Sequence, residues 1–94
     1  MKGINSLQLK KASLILKSLN NKLRQEIIEL LEQDEKIIAT EIPIRLGKPH
    51  STVFQEMRAL IKTQLIQKEH IANNTYYFVN EQKMAEVGKM LASM

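Results

Sequence analysis

The chain has 94 residues, 44% of them hydrophobic, with three glycines, two prolines, no cysteine and a formal net charge of +4. That length allows one domain (1–94) burying roughly 60–65% of its unfolded surface, a marginal core that a second subunit would reinforce. The lack of cysteine excludes disulfides, thiolate metal sites and cysteine nucleophiles, no apolar run approaches the ~20 residues of a membrane span, and the N-terminal MKGINSLQLKK has no signal-peptide core, so a cytoplasmic protein is expected.

The first predicted helix runs from about Ser6, a suitable N-cap, to Leu19. Leu9, Ala12, Leu16 and Leu19 share one face with Ile15 beside them, while Leu7 and Leu14 lie nearly opposite. A helix apolar on two sides packs against two bodies, and in a small domain the second is expected to be another subunit. Residues 1–25 carry six bases (Lys2, Lys10, Lys11, Lys17, Lys22, Arg24) and no acid.

Asn20-Asn21 ends that helix and caps the next, from about Lys22 to Gln33, whose inward residues are Leu23, Ile27, Leu30 and Leu31. Glu26, Glu29 and Glu32 form a solvated face, and residues 26–41 hold six acids against Lys36. Gln33-Asp34-Glu35 reads as a turn and Lys36-Ile37-Ile38 as a brief β-like segment.

Thr40 is the expected N-cap of a third helix, Glu41 to Leu46, with Pro43 in its first turn, where a missing N–H costs little. Gly47 permits a turn with positive φ, and Pro49 opens a fourth helix, about His50 to Thr63. Val53, Met57, Leu60 and Ile61 form its buried stripe. Ser51, Gln55, Arg58 and Lys62 form the opposite face, flanked by Thr52 and Ala59. Short helix, glycine turn and amphipathic helix make a helix-turn-helix, a unit whose second helix enters the DNA major groove. Residues 42–68 carry five bases (Arg45, Lys48, Arg58, Lys62, Lys68) against Glu56, a basic island suited to phosphates.

Leu65–Ile71 and Thr75–Asn80 read as strands around an Ala72-Asn73-Asn74 turn, a hairpin placed as a wing after the recognition helix. Tyr76 and Tyr77 alternate along the second strand, so one is expected in the core and one outside. A last helix, about Glu81 to Ser93, places Met84, Val87, Leu91 and Met94 on one stripe with Met90 near it. The expected fold is mainly α with a small β-hairpin, α-α-α-α-β-β-α, with the β-like segment before the third helix.

This order, together with its local motifs, resembles the ArsR/SmtB family of winged helix-turn-helix regulators, over about Leu19 to Asn80 with terminal helices on both sides. Asn20-Asn21-Lys22-Leu23-Arg24 followed by Ile27-Ile28-Glu29-Leu30-Leu31, Glu41-Ile42 through Leu46-Gly47, Ser51-Thr52-Val53, Leu65-Ile66 and Tyr76-Tyr77 match family patterns in order and spacing. The resemblance implies a homodimer built through the first and last helices that represses transcription and releases DNA on a signal, from an inducer or a protein partner. The chain departs from the family at Ile38 and Thr40, where metal sensors carry cysteines. It also departs at Gln55-Glu56, where Arg-His is common, at Gln64, where a glycine usually ends the recognition helix, and in a wing of Gln67, Glu69, His70 and Asn73 that lacks arginines.

The candidate DNA contacts are therefore Lys48, His50, Ser51, Thr52, Gln55, Arg58, Lys62 and Lys68, and the candidate dimerisation residues are Leu9, Leu16, Met84, Val87 and Leu91. His50 and His70 lie 20 residues apart without partners at ligand spacing, so no metal site is expected, and no cofactor. Ser51 lacks a nucleophile elbow, the glycines at 3, 47 and 88 form no phosphate loop, and paired carboxylates such as Glu26 and Glu29 are ordinary surface residues, so no enzyme is expected. The methionines of the last helix suit a core or dimer seam better than a ligand pocket. Two readings stay open: a homodimeric repressor of double-stranded DNA at an inverted repeat, or a winged-helix module that binds protein and has lost DNA affinity. The basic run from Arg45 to Lys68 favours the first; Glu56 and the neutral wing favour the second.

Overall fold

Asn21 adopts an extended backbone and its side chain accepts the Arg24 N–H at 3.1 Å, which starts helix α1 (Lys22–Gln33) where the sequence places it. The computed structural model describes residues 20–93; the first predicted helix with Leu9 and Leu16, Met94, and the side chain of Leu91 lie outside the described residues. After α1 come β1 (Ile37–Ile38), α2 (Glu41–Leu46), α3 (His50–Lys62), β2 (Ile66–Ile71), β3 (Asn74–Val79) and α4 (Glu81–Ala92). Among the described residues, no helix is long and apolar enough to cross a membrane.

The core is the meeting point of α1, α2, α3 and the sheet. Ile27, Ile42, Val53, Met57, Leu60, Leu65 and Ile66 have no exposure, and Leu31 has almost none. Burying a side chain of this size stabilises by about 1.5–3 kcal/mol, so the interlocked set fixes how α3 is presented. Ile28 is also buried, which a single stripe of Leu23, Ile27, Leu30 and Leu31 did not anticipate. The reason is that α1 touches α2, α3 and β3 together, so its buried face is wider than one stripe.

Among the described residues, three strands form one antiparallel sheet in the order β1-β3-β2. Ile37 pairs with Tyr77 and Ile38 with Tyr76, so the brief β-like segment is a true edge strand of the wing sheet. Tyr77 faces the core and Tyr76 the other side, as strand alternation requires. The hairpin loop is two residues, Ala72-Asn73, both with positive φ (49° and 68°), and Asn74 already pairs with Ile71. The expected three-residue loop is corrected on this point: a primed two-residue turn matches the strand twist and draws Asn74 into β3.

Thr40 is also corrected. It precedes α2 but has helical dihedrals (φ −66°, ψ −24°) and makes no side-chain cap bond. Its hydroxyl is not in the capping position, and the Ile42 N–H donates instead to the Ala39 carbonyl at 3.3 Å. Asn80, read as the end of a strand, instead accepts the Lys83 N–H at 3.1 Å and starts α4. On α4, Val87 is 5% exposed, and Met84 and Met90 pack half-buried on the same core. Of the proposed dimer stripe, Met84 and Val87 are therefore first of all anchors of α4 to its own chain.

Candidate nucleic-acid interface

The turn between α2 and α3 is built by backbone bonding. Gly47 is left-handed (φ 65°, ψ 36°), its N–H donates to the Ile44 carbonyl at 3.2 Å, and the Lys48 N–H donates to the Pro43 carbonyl at 3.1 Å. A side chain at Gly47 would meet open space, so the requirement there is the dihedral alone. Pro49 then sits extended (φ −61°, ψ 144°) and releases the chain into α3.

Val53, Met57 and Leu60 hold α3 to the core, and Ile61 is half-buried beside them. Lys48, His50, Ser51, Thr52, Gln55, Arg58 and Lys62 are all exposed, at the start of α3 and along its outer side, and Lys68 is exposed on β2. The structure thus presents every predicted contact residue to solvent, seven of them in or next to α3. Among the described residues, Lys48, Arg58, Lys62 and Lys68 take part in no ion pair. His50 rests against Phe54, with ring centroids 6.1 Å apart, which ties the start of the helix to a residue packed on the core.

Glu56, the acid that weakened the sequence case for DNA, does not share this face. Its Oε2 accepts from Arg24 Nε on α1 at 2.5 Å and from Asn21 Nδ2 at 3.5 Å, and its side chain is 17% exposed. Sequence reasoning could not find the pair, because 32 residues separate the partners.

The wing is arranged differently. Glu69 accepts from Lys36 Nζ at 2.5 Å, and that ammonium also lies 5.9 Å from the Phe78 ring centre. The Glu69 hydrogen bond raises the Lys36 pKa above its ordinary value, against the smaller opposing effect of desolvation. His70 Nδ1 and the Thr75 hydroxyl are 2.7 Å apart. Inside the sheet, burial pushes the Tyr77 phenol up, and the nearby Arg58 charge offsets part of this. Among the described residues no group of three or more His, Asp and Glu is placed to hold a metal ion. Met84 borders an open cleft with Leu31, Glu32, Asp34, Val79 and Glu81, at the end of α1 and the start of α4.

No protein-family profile matches the sequence, and no curated protein does. Solved structures do. The homodimeric winged helix-turn-helix DNA-binding domain (fragment 1–100) of Mb0332 from Mycobacterium bovis, a possible ArsR-family transcriptional regulator, matches with a TM-score of 0.78 at 21% identity, covering 99% of this chain and 89% of that one. The transcriptional repressor PagR of Bacillus anthracis matches with a TM-score of 0.77 at 23% identity over 93% of this chain and 99% of PagR. HlyU from Vibrio cholerae matches with a TM-score of 0.75 at 21% identity, over 92% and 94%. The structure therefore has the winged helix-turn-helix fold seen in ArsR-type transcriptional regulators.

Proposed function

We propose that this protein is a DNA-binding transcriptional regulator of ArsR-like type, a repressor that binds an inverted-repeat operator as a homodimer and lacks the family's cysteine metal site. The observation that carries the reading is the exposed face of α3 with its flanks, in which Ser51, Thr52, Gln55, Arg58 and Lys62 stand clear while Glu56 is drawn away to Arg24. Gln55 has the donor and acceptor needed for a bidentate contact to adenine, and Arg58 can serve a base or a phosphate. Lys48 and Lys62, at the ends of α3, suit phosphates, which position a protein without specifying sequence. The homodimeric state of Mb0332 and the repressor role of PagR support the finer reading.

The test is duplex DNA binding as salt is varied, followed by selection of bound genomic fragments. The expected result is low-salt binding whose log–log slope grows by ~0.9 per phosphate neutralised. The selected fragments should carry two half-sites about one turn apart, roughly 34 Å. A protein that binds no duplex at any salt is instead the protein-binding module, the reading that the self-paired wing favours.

A further inference from the structure

The ion pair between α1 and α3 has a role beyond packing. Glu56 follows Gln55 directly and lies one helical turn from Thr52, both exposed candidates for the groove. A carboxylate released there would stand at the border of the contact face. What prevents this is Arg24, whose Nε lies 2.5 Å from Glu56 Oε2, the two side chains being only 22% and 17% exposed, with Asn21 Nδ2 adding a second donor at 3.5 Å. Asn21 is itself fixed as the cap of α1, so the donors come from a rigid helix start.

We propose that Arg24 controls the DNA affinity of this surface without touching DNA, as a positioning residue that masks the only acid of the recognition helix. The proposal rests on the DNA-binding reading above. An unmasked carboxylate offsets about one phosphate contact per subunit, hence two per homodimer, which corresponds to ~1.8 in the log–log salt slope and roughly a sixtyfold loss of affinity near 0.1 M salt.

The experiment measures binding of the full chain to one fixed random-sequence duplex between 0.05 and 0.3 M salt, with thermal unfolding recorded for each variant. Arg24→Gln is expected to bind roughly sixtyfold more weakly near 0.1 M salt with a shallower slope, Arg24→Lys to bind like the parent, and the double variant Arg24→Gln, Glu56→Gln to return to the parent slope. If the double variant stays as weak as Arg24→Gln, Arg24 contacts phosphate itself and the proposal falls; it falls equally if Arg24→Gln binds like the parent. Should Arg24→Gln not fold, the double variant alone decides: a pair that only masks itself leaves the slope at the parent value when both charges are removed, whereas an Arg24 that contacts phosphate flattens it by ~1.8 for the homodimer. A parent protein that binds no duplex overturns the DNA reading itself; a parent that binds, with variants that disobey this pattern, overturns only the role of Arg24.

Discussion

Helix α3 and the β2–β3 hairpin are both exposed and both carry charge, yet their charges are disposed in opposite ways. On α3 the acid is bonded inward to α1, and the cations on the outer face are left to solvent. On the wing, Glu69 is bonded to Lys36 and His70 to Thr75, so among the described residues Lys68 is left as the one wing cation in no ion pair. Exposure is therefore a poor guide to availability. A surface offers binding capacity only in the charges its own chain has not already matched.

The largest effect that could break this contrast lies in what holds each region. Leu60→Ala, at the unexposed inner face of α3, should cost about 2–5 kcal/mol in urea unfolding. Ile71→Ala, at the 45% exposed end of the hairpin, should cost less than about 1 kcal/mol. Comparable losses would mean that the wing, too, is part of the cooperative core.

Binding sharpens the contrast next. Lys62→Ala, which removes one phosphate contact from each subunit of the homodimer, should weaken every duplex by roughly sixtyfold near 0.1 M salt and flatten the slope by ~1.8. Gln55→Ala should leave that slope unchanged and relax base preference by ~1–3 kcal/mol. Glu69→Gln on the wing should change duplex affinity less than either α3 variant. A wing variant that matters more than Lys62 would reverse the assignment of the two regions.

Smaller effects come from the backbone. Gln64 (φ 67°) ends the α3 segment and Ala72 (φ 49°) turns the hairpin, both in a region that L side chains enter at a cost of about 1–2 kcal/mol. Gln64→Gly and Ala72→Gly should each raise stability by about 0.5–1 kcal/mol, the gain being reduced by glycine's greater unfolded-state entropy. Thermal unfolding measures both, and a loss at either position would show that the native side chain contributes more than its dihedral costs.

The smallest effect is alkaline. Tyr77, raised by burial above 10.0, and Lys36, raised by Glu69 above 10.5, both bind their proton more tightly when folded. Their contribution to stability is complete below about pH 10 and is lost as pH rises through the folded values. Tyr77→Phe should remove part of the decline seen in denaturant midpoints above about pH 10, with a lesser part removed by Lys36→Met. A decline that neither substitution changes would place its cause elsewhere.

Helix ends were legible in the sequence because caps and turns are local. Asn21, Gly47 and Pro49 act on neighbours within four residues: α1 and α3 begin, and α2 ends, where those residues place them. The amphipathic stripe of α3 was equally plain, since periodicity reports which face is buried. Periodicity does not report what covers that face. This is why the burial of Ile28, the anchoring of Val87 in its own core and the pairing of β1 with β3 emerge only once the elements meet. Glu56 is the strongest case, because its meaning depends on Arg24, and no local rule links the two positions. The Thr40 cap failed for the complementary reason: residue type permits a cap, but the backbone dihedral decides whether it forms.

The strand order has one more consequence. With β3 in the centre, β1 and β2 are the two edges of the sheet among the described residues, and neither invites an intruder. β1 is two residues long, too short to template an incoming chain. β2 offers six residues, but its middle is Gln67, Lys68, Glu69 and His70, a polar and charged run of the kind that discourages backbone zipping between copies. At these two edges, contact between copies would therefore be made by side chains rather than by an added strand.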